Sequence, residues 1–294
     1  MNTKITTRMF FLISMVIFGT IGLLVRFIGL SSGEIALYRA VMAAILVGGY
    51  MLISGKKIRV RKLGRDIPIL LLSGGAMGIN WILLFEAYKY TSVSVATLSY
   101  YFAPVIVTVV CPILFHERMS KKSLICFIAS SVGLVLITGI GGGGASGGKG
   151  IAFGLGAAVF YATVMILNKF IQGVGGLERT FLQFIASIVI LTPYVIFTGG
   201  FNLGSLDKTG AICLVTVGII HTGVAYVMYF SSLGELEGQS VAIMSYIDPL
   251  VAVVVSVTVL QESISLPQII GGALILGFAL YNELPDIKRK KGQN

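Results

Sequence analysis

Polar or glycine-rich breaks divide the chain into ten apolar runs of about 18 to 24 residues. As an α-helix, each such run is long enough to cross a hydrocarbon core of roughly 30 Å. The pattern predicts membrane helices over Met9–Ile28, Gly33–Ile53, Ile67–Tyr88, Ser92–Leu114, Ser123–Gly139, Ile151–Ile171, Glu178–Phe197, Gly210–Leu233, Gln239–Leu260 and Leu266–Leu284. Stretches such as ILVGGYMLI lack the apolar–polar alternation of a membrane-barrel strand. The fold class is therefore an all-α integral membrane protein with ten transmembrane helices. The opening MNTKITTR is positive, but no small-residue cleavage site follows its full-length apolar run, so the first helix is expected to stay in the mature chain.

Composition agrees. Hydrophobic residues make up 56% and charged residues only 12%, against roughly 25% charged in soluble domains, and the mean hydropathy is +0.94. The net charge of +10 could suggest a nucleic-acid partner, but the positions of the charges argue otherwise. Lys56, Lys57, Arg59, Arg61, Lys62 and Arg65 fall between the second and third segments, Arg118, Lys121 and Lys122 between the fourth and fifth, and Lys288 to Lys291 at the C-terminus. With Lys4, Arg8, Lys169 and Arg179 they all lie on one side of a ten-helix topology. The other side keeps only Arg26, Lys89, Lys149 and Lys208. The positive-inside rule then places both termini in the cytoplasm of a multi-pass cell-membrane protein, its basic loops against anionic headgroups. Cys111, Cys126 and Cys213 sit within apolar spans without metal-ligand spacing and are read as packing residues; no metal or other cofactor is expected.

The chain also repeats itself. FAPVIVTVVCPILFHERMS, Phe102 to Ser120, aligns without a gap on IDPLVAVVVSVTVLQESIS, Ile247 to Ser265, at a constant offset of 145 (249 − 104; 262 − 117). Pro104 falls on Pro249, Glu117 on Glu262, Ser120 on Ser265 and Tyr101 on Tyr246, while Ala103 faces Asp248. SSGEIALYRAVMAA in the second segment matches GGLERTFLQFIASI in the seventh, setting Glu34 over Glu178 and Arg39 over Gln183, and MVIFGTIGLL resembles AAVFYATVMIL. The segment GIGGGGASGGKG divides the halves, and it lacks the strand and the GK[ST] ending of a phosphate-binding loop. We therefore expect a first five-helix repeat over 1–139, a flexible linker over 140–150 and a second repeat over 151–294. Five helices per half force the second half to enter the membrane upside down. HERMSKK is basic whereas its counterpart QESIS carries no Lys or Arg, as that inversion requires. Inverted repeats are typical of carriers that alternate access around a site between the halves.

Two five-helix halves, ALYRAVMAAILV in the second segment, a proline in the middle of the fourth and ninth, and a Glu soon after each in HERMS and QESIS resemble the EamA-type branch of the drug/metabolite transporter superfamily. The resemblance covers nearly the whole chain. It implies a carrier of small metabolites, often amino acids moved outward, with segments 1–4 and 6–9 around a central cavity and 5 and 10 at the periphery. It does not fix the substrate.

Polar side chains within the bilayer are costly and mark candidate sites. Arg39, two turns into the second segment, could present its guanidinium fork to a substrate carboxylate, or it could pair with Glu86 and fix two helices. Asp248 and His221 lie near mid-depth in the ninth and eighth segments, where burial disfavours their charged forms and a changing environment could move a proton; His221 could equally be a hydrogen-bonded core histidine. Asp248, Glu86 and His221 are thus the candidate coupling residues. Pro104 and Pro249 each remove a backbone hydrogen bond and are candidate hinges. Around them gather Ser99, Tyr100, Tyr101 and Tyr246. Asn80, Trp81, Tyr161, Gln183 and Tyr226 complete the candidate substrate-binding set, the single tryptophan Trp81 lying too deep for a headgroup belt and so reading as cavity wall rather than lipid contact. Small-residue runs in the third segment read as packing within the monomer. Those of the fifth and tenth leave a dimer contact open, so the chain acts as a monomer or homodimer.

The expected function is export of a small polar metabolite. A phosphorylated-sugar or nucleotide-sugar antiporter would want several cations in the cavity, and Arg39 is the one the sequence offers. A membrane-embedded enzyme would need clustered acids with a histidine or a metal motif, whereas His116 and His221 are far apart.

Overall fold

A computed structural model describes residues 3–55, 64, 66–114, 120–138, 145–171, 175–233, 236 and 238–284. The basic clusters at 56–63 and 285–294, Glu117 and Arg118 of HERMS, and Gly139–Gly144 lie outside the described residues.

The described chain is helical, and the ten predicted segments are all present. The first crossing is α1 (Thr3–Gly19) with a short α2 (Ile21–Val25); then come α3 (Ser32–Ile53) and α4 (Ile67–Tyr90). The fourth crossing is broken into α5 (Val93–Tyr100) and α6 (Ala103–Leu114), and α7 (Lys121–Thr138) is the fifth. The second half begins with α8 (Ala145–Phe170) and α9 (Gly176–Thr198). The eighth crossing runs through α10 (Lys208–Thr216), a π-helical stretch (Val217–Val224) and α11 (Ala225–Leu233). The ninth is broken into α12 (Gly238–Ser245) and α13 (Ile247–Thr258), and α14 (Leu266–Glu283) closes the chain. Seven crossings are long and apolar enough to span a membrane by themselves; the broken ninth and the tenth are shorter.

Local chemistry sets these boundaries. Glu34 reaches back to the backbone N–H of Ser31 while Ser31 accepts from Glu34 N, and Glu178 likewise receives the Gly175 N–H at 3.2 Å. Equivalent carboxylates thus satisfy the orphan donors of equivalent helix starts. Ser92 and Asp207 cap α5 and α10 in the same way. Pro104 and Pro249 occupy the first turn of α6 and α13, just past breaks at Tyr101–Phe102 and Tyr246. A proline is tolerated there because the first-turn N–H has no intrahelical acceptor. The expected bend is therefore a break one turn ahead of the proline.

One boundary departs from expectation. Ala145 to Gly150, assigned to a linker too flexible for helix, forms the first turns of α8. Gly150 lies so close to Thr91 that a Cβ would stand 2.6 Å from the threonine side chain, so tertiary contact with the preceding repeat overrides the low helix propensity of glycine.

The two halves form an inverted repeat, and the equivalent second and seventh crossings, α3 and α9, run antiparallel side by side. Gly33 at the start of α3 faces Val195 near the end of α9, and Gly48 faces Phe181. Neighbour relations come in matched sets: α4 packs on α8 and α9 as the eighth crossing packs on α1 and α3, and α6 meets α8 as α13 meets α1. The fifth and tenth crossings pair with one another at the periphery. There a Cβ on Gly133 would sit 2.6 Å from the carbonyl oxygen of Gly271, so these two glycines pack within one chain, whereas Gly277 of the tenth crossing has nothing within 4 Å of its Cβ position. We call the end holding the start of α1 the basic end and the opposite one the far end.

Candidate functional site

A cavity of about 390 Å³ lies between the repeats, within the usual range for small-molecule sites. The first to fourth and sixth to ninth crossings all contribute to its wall. Of the sequence candidates, Arg39, Asn80, Trp81, Tyr100, Tyr101, Tyr161, Tyr226 and Asp248 line it.

Arg39 is the central feature. It is 5% exposed, and its Nε donates to Thr222 Oγ1 at 2.7 Å, whose hydroxyl in turn donates to the carbonyl of Val217 at 2.8 Å. That chain points the guanidinium over Trp81, 4.3 Å from the ring centroid, with Phe85 at 5.6 Å. Cation–π contact of this kind stabilises a desolvated guanidinium. Among the described residues no acceptor takes its two terminal nitrogens, and neither of the two ion pairs includes it. The anticipated Arg39–Glu86 pair does not form: Glu86 instead accepts from Lys89, one turn on along α4, at 2.9 Å. A three-residue spacing puts those two on one exposed helix edge, where the pairing needs no burial.

Across the cavity, Tyr101 donates to Asp248 Oδ2 at 2.5 Å. Asp248 thus has a partner, because Tyr101 and Asp248 lie at the breaks of the fourth and ninth crossings. Tyr100 and Tyr161 stack at 5.0 Å between centroids, and Tyr226 stands edge-on to Phe184 at 5.4 Å. Asn80 donates its amide to the Ala157 carbonyl at 2.7 Å, which leaves its oxygen for the cavity. A cation, a carboxylate and an aromatic wall are the complement of a small zwitterion with an apolar side chain.

The remaining candidates lie elsewhere. Gln183 spends its amide hydrogens on Ser73 Oγ and Asn168 Oδ1, at 2.6 and 2.8 Å, in the seam between α4, α8 and α9. Ser99 is fully buried against Gly154 of α8. Tyr246 packs on the cluster of Val95, Leu98 and Ile275. Glu86 is at the rim as described. His221 stands behind the wall, its Nε2 2.9 Å from Thr20 Oγ1 and its Nδ1 3.3 Å from the Thr216 carbonyl; it ties the break between α1 and α2 to the π-helical stretch, the hydrogen-bonded core role. Pro104 and Pro249 do not reach the cavity. Conversely, Asn168, Arg179, Tyr88 and Thr97 line it without having been singled out. Arg179 was counted among the topology charges, although it falls in the first helical turn of α9 rather than in a loop.

The two ends of the cavity differ. Tyr88, Thr97 and Ala252 toward the far end are buried, whereas Asn168, Arg179, Tyr229 and Phe230 toward the basic end are partly exposed. Above the buried end sits a polar cluster. Glu262, just past α13, takes Arg26 at 2.5 Å on one oxygen and both the Val93 N–H at 2.8 Å and the Ser256 hydroxyl at 2.5 Å on the other. Arg26 also donates to the Thr91 carbonyl at 2.7 Å, and Ser94 N donates to Ser256 Oγ at 3.2 Å. Gln261, the residue before it, has a positive φ of 55°, which costs a non-glycine residue about 1 kcal/mol or more. The cluster joins the first and fourth crossings to the ninth, across the two repeats.

Ten apolar helices in two inverted halves around a polar-aromatic cavity define a multi-pass membrane transporter. The family model described as the EamA-like transporter family matches residues 6–139 and again 148–282. The chain belongs to that family, within the drug/metabolite transporter superfamily, and this is a family of transporters rather than of enzymes. An uncharacterized transporter of Bacillus subtilis (strain 168), YxxF, is 34% identical over 281 residues, spanning 94% of this chain and 89% of the relative. An uncharacterized transporter of Clostridium kluyveri is 24% identical over 257 residues, covering 83% of each. A protein of known crystal structure superposes with a TM-score of 0.63 at 17% identity, over 93% of this chain and 96% of that one, a likeness of fold.

Proposed function

We propose that the protein is a secondary active carrier of the cell membrane that exports a small carboxylated metabolite, an amino acid or related compound, by proton-linked alternating access. The observation that carries this reading is Arg39, a buried cation facing the cavity that is paired with no carboxylate among the described residues. Burying an unpaired charge is expensive, and a carboxylate that arrives with the substrate relieves that cost through two parallel hydrogen bonds. Asp248 opposite accepts either the substrate ammonium or a proton. In this reading the basic end faces the cytoplasm, in keeping with the Lys and Arg clusters, and the more exposed mouth of the cavity opens to the compartment from which an exporter loads. A phosphorylated or nucleotide-sugar substrate concentrates negative charge within a few ångström and calls for cations side by side, whereas Arg179, the second cation of the cavity, stands at its far-removed mouth.

The test begins with a thermal-shift screen of purified protein against amino acids, amines and short organic acids, since a ligand that binds only the folded state raises its stability. A hit is then followed in proteoliposomes. Arg39→Lys keeps the charge and loses the fork, so transport should fall by at least tenfold, and the methyl ester of the hit should not bind wild type. Normal transport by Arg39→Lys, or equal binding of acid and ester, would overturn the assignment.

A further inference from the structure

We propose that the basic-end mouth of the cavity holds a second anion-binding station, centred on Arg179, which captures a small carboxylate before Arg39 does. It rests on the reading of Arg39 as the inner receptor, and the experiment below separates the two. Arg179 Nη1 donates to the carbonyls of Asn168 at 3.1 Å and Ile171 at 3.4 Å, at and just past the end of α8. Those bonds hold the guanidinium in place without neutralising it. Its Nε is buried and has no partner, and among the described residues no carboxylate pairs with it. The adjacent Glu178 is committed to the Gly175 N–H. Asn168 accepts from Gln183 through Oδ1, so its own amide hydrogens are free to join the site. Tyr229 and Phe230 complete the mouth. A positioned guanidinium with a spare amide donor and aromatic sides is a receptor for a carboxylate.

The depth of the two arginines follows from the packing of α3 on α9. Gly33 faces Val195, so Arg39, six residues on from Gly33, stands level with Val189, six residues back from Val195. Arg179 is ten residues before Val189, about 15 Å at 1.5 Å per residue. Each guanidinium is also held in its own place, Arg39 by Thr222 and Arg179 by the carbonyls at the end of α8, so the two form separate stations. The stations act in sequence: the outer one raises the local concentration of anions at the mouth, a rate effect that salt screens, and the inner one fixes the ligand.

Trp81, the single tryptophan, lies against Arg39 and reports arrival at the inner station. We would follow Trp81 fluorescence of the full-length purified protein after stopped-flow mixing with benzoate. In wild type the association rate should fall steeply between 20 and about 500 mM NaCl. Arg179→Gln should slow association about fivefold to tenfold and flatten the salt dependence, while the dissociation rate and the final amplitude stay within twofold. Arg179→Lys restores a charge but cannot reproduce the bonds to the α8 carbonyls, so it should recover the salt dependence if the station is electrostatic. An Arg179→Gln association rate like that of wild type, a Lys variant no better than Gln, or no response of wild type to benzoate would each overturn the proposal. If Arg39→Gln leaves the amplitude intact while Arg179→Gln still slows association, the inner assignment fails and the mouth station stands.

Discussion

The cluster around Glu262 makes a quantitative claim about which end of the carrier is closed. Three donors, from Arg26, the Val93 backbone and Ser256, converge on its two carboxylate oxygens. Glu262→Gln keeps the volume but offers one oxygen and one NH2, so a donor must face a donor whichever way the amide turns. The lower-cost choice turns the NH2 toward Arg26, whose side chain is 32% exposed and can move to water. A hydrogen bond to a charged group is worth about 1.5–3 kcal/mol and an exposed ion pair less than about 1 kcal/mol, so the loss should be about 1–2 kcal/mol. These contacts exist only while the first, fourth and ninth crossings are drawn together. Their loss therefore shifts the closed–open equilibrium by a factor of about 5 to 30, at 1.4 kcal/mol per tenfold. Thr97 lies beneath the cluster in the cavity wall. In a variant with Cys111, Cys126 and Cys213 replaced, Thr97→Cys should react with a membrane-impermeant thiol reagent added outside intact cells, and Glu262→Gln should speed that reaction by the same factor. An unchanged labelling rate, in protein of unchanged Tm, would refute the idea that this cluster holds the far end shut.

Three further outcomes are expected. Asp248→Asn preserves an oxygen for the Tyr101 hydroxyl but cannot ionise, so in proteoliposomes it should abolish accumulation driven by a pH gradient while leaving exchange across the membrane within about threefold of wild type; full accumulation would exclude this residue as the coupling site. Cysteines at Ser120 and Ser265, which open α7 and α14, should label from opposite faces of the membrane, and labelling of both from outside would sink the proposed orientation. Gly133→Ala forces a Cβ to 2.6 Å from the Gly271 carbonyl and should destabilise the protein by about 1–3 kcal/mol, read as a lowered Tm; no change would mean that the α7–α14 seam is looser than described.

Apolar run length alone placed the ten crossings, because a bilayer imposes the same length on each and leaves polar breaks between them. Pro104 and Pro249 announced the two broken crossings, although each break falls about a turn earlier than the proline itself. The site was legible where a polar or aromatic residue interrupts an apolar span, as at Arg39, Trp81 and Asp248. What the pattern could not tell is which way each side chain turns. Ser99, Gln183 and Tyr246 sit at the right depths but face the seams between helices, and in a membrane bundle both a seam and a cavity wall are lined by small, polar and aromatic residues. The far-end cluster escaped for a different reason. Arg26 and Glu262 are 236 residues apart in the chain and lie at span ends, where charges are ordinary.

The repeat also shows where function departs from scaffold. Arg39 and its counterpart Gln183 perform the same structural task, each donating to a hydroxyl on the helix that packs beside it, Thr222 in the eighth crossing and Ser73 in the third. Only Arg39 brings a charge. Asp248 faces Ala103 in the same way. A scaffold with perfect two-fold symmetry would have two conformations of equal energy, one open at each end, and unequal residues decide which is favoured. Setting Phe18 of MVIFGTIGLL on Phe160 of AAVFYATVMIL places Arg26 over Asn168, a neutral residue that cannot form with a carboxylate the ion pair that Arg26 forms with Glu262. The position aligned with Arg26 at the basic end is thus uncharged, a difference between the two ends. In the proposed orientation, with the basic end in the cytoplasm, that difference between the ends favours the conformation open to the cell interior, as the proposed export requires.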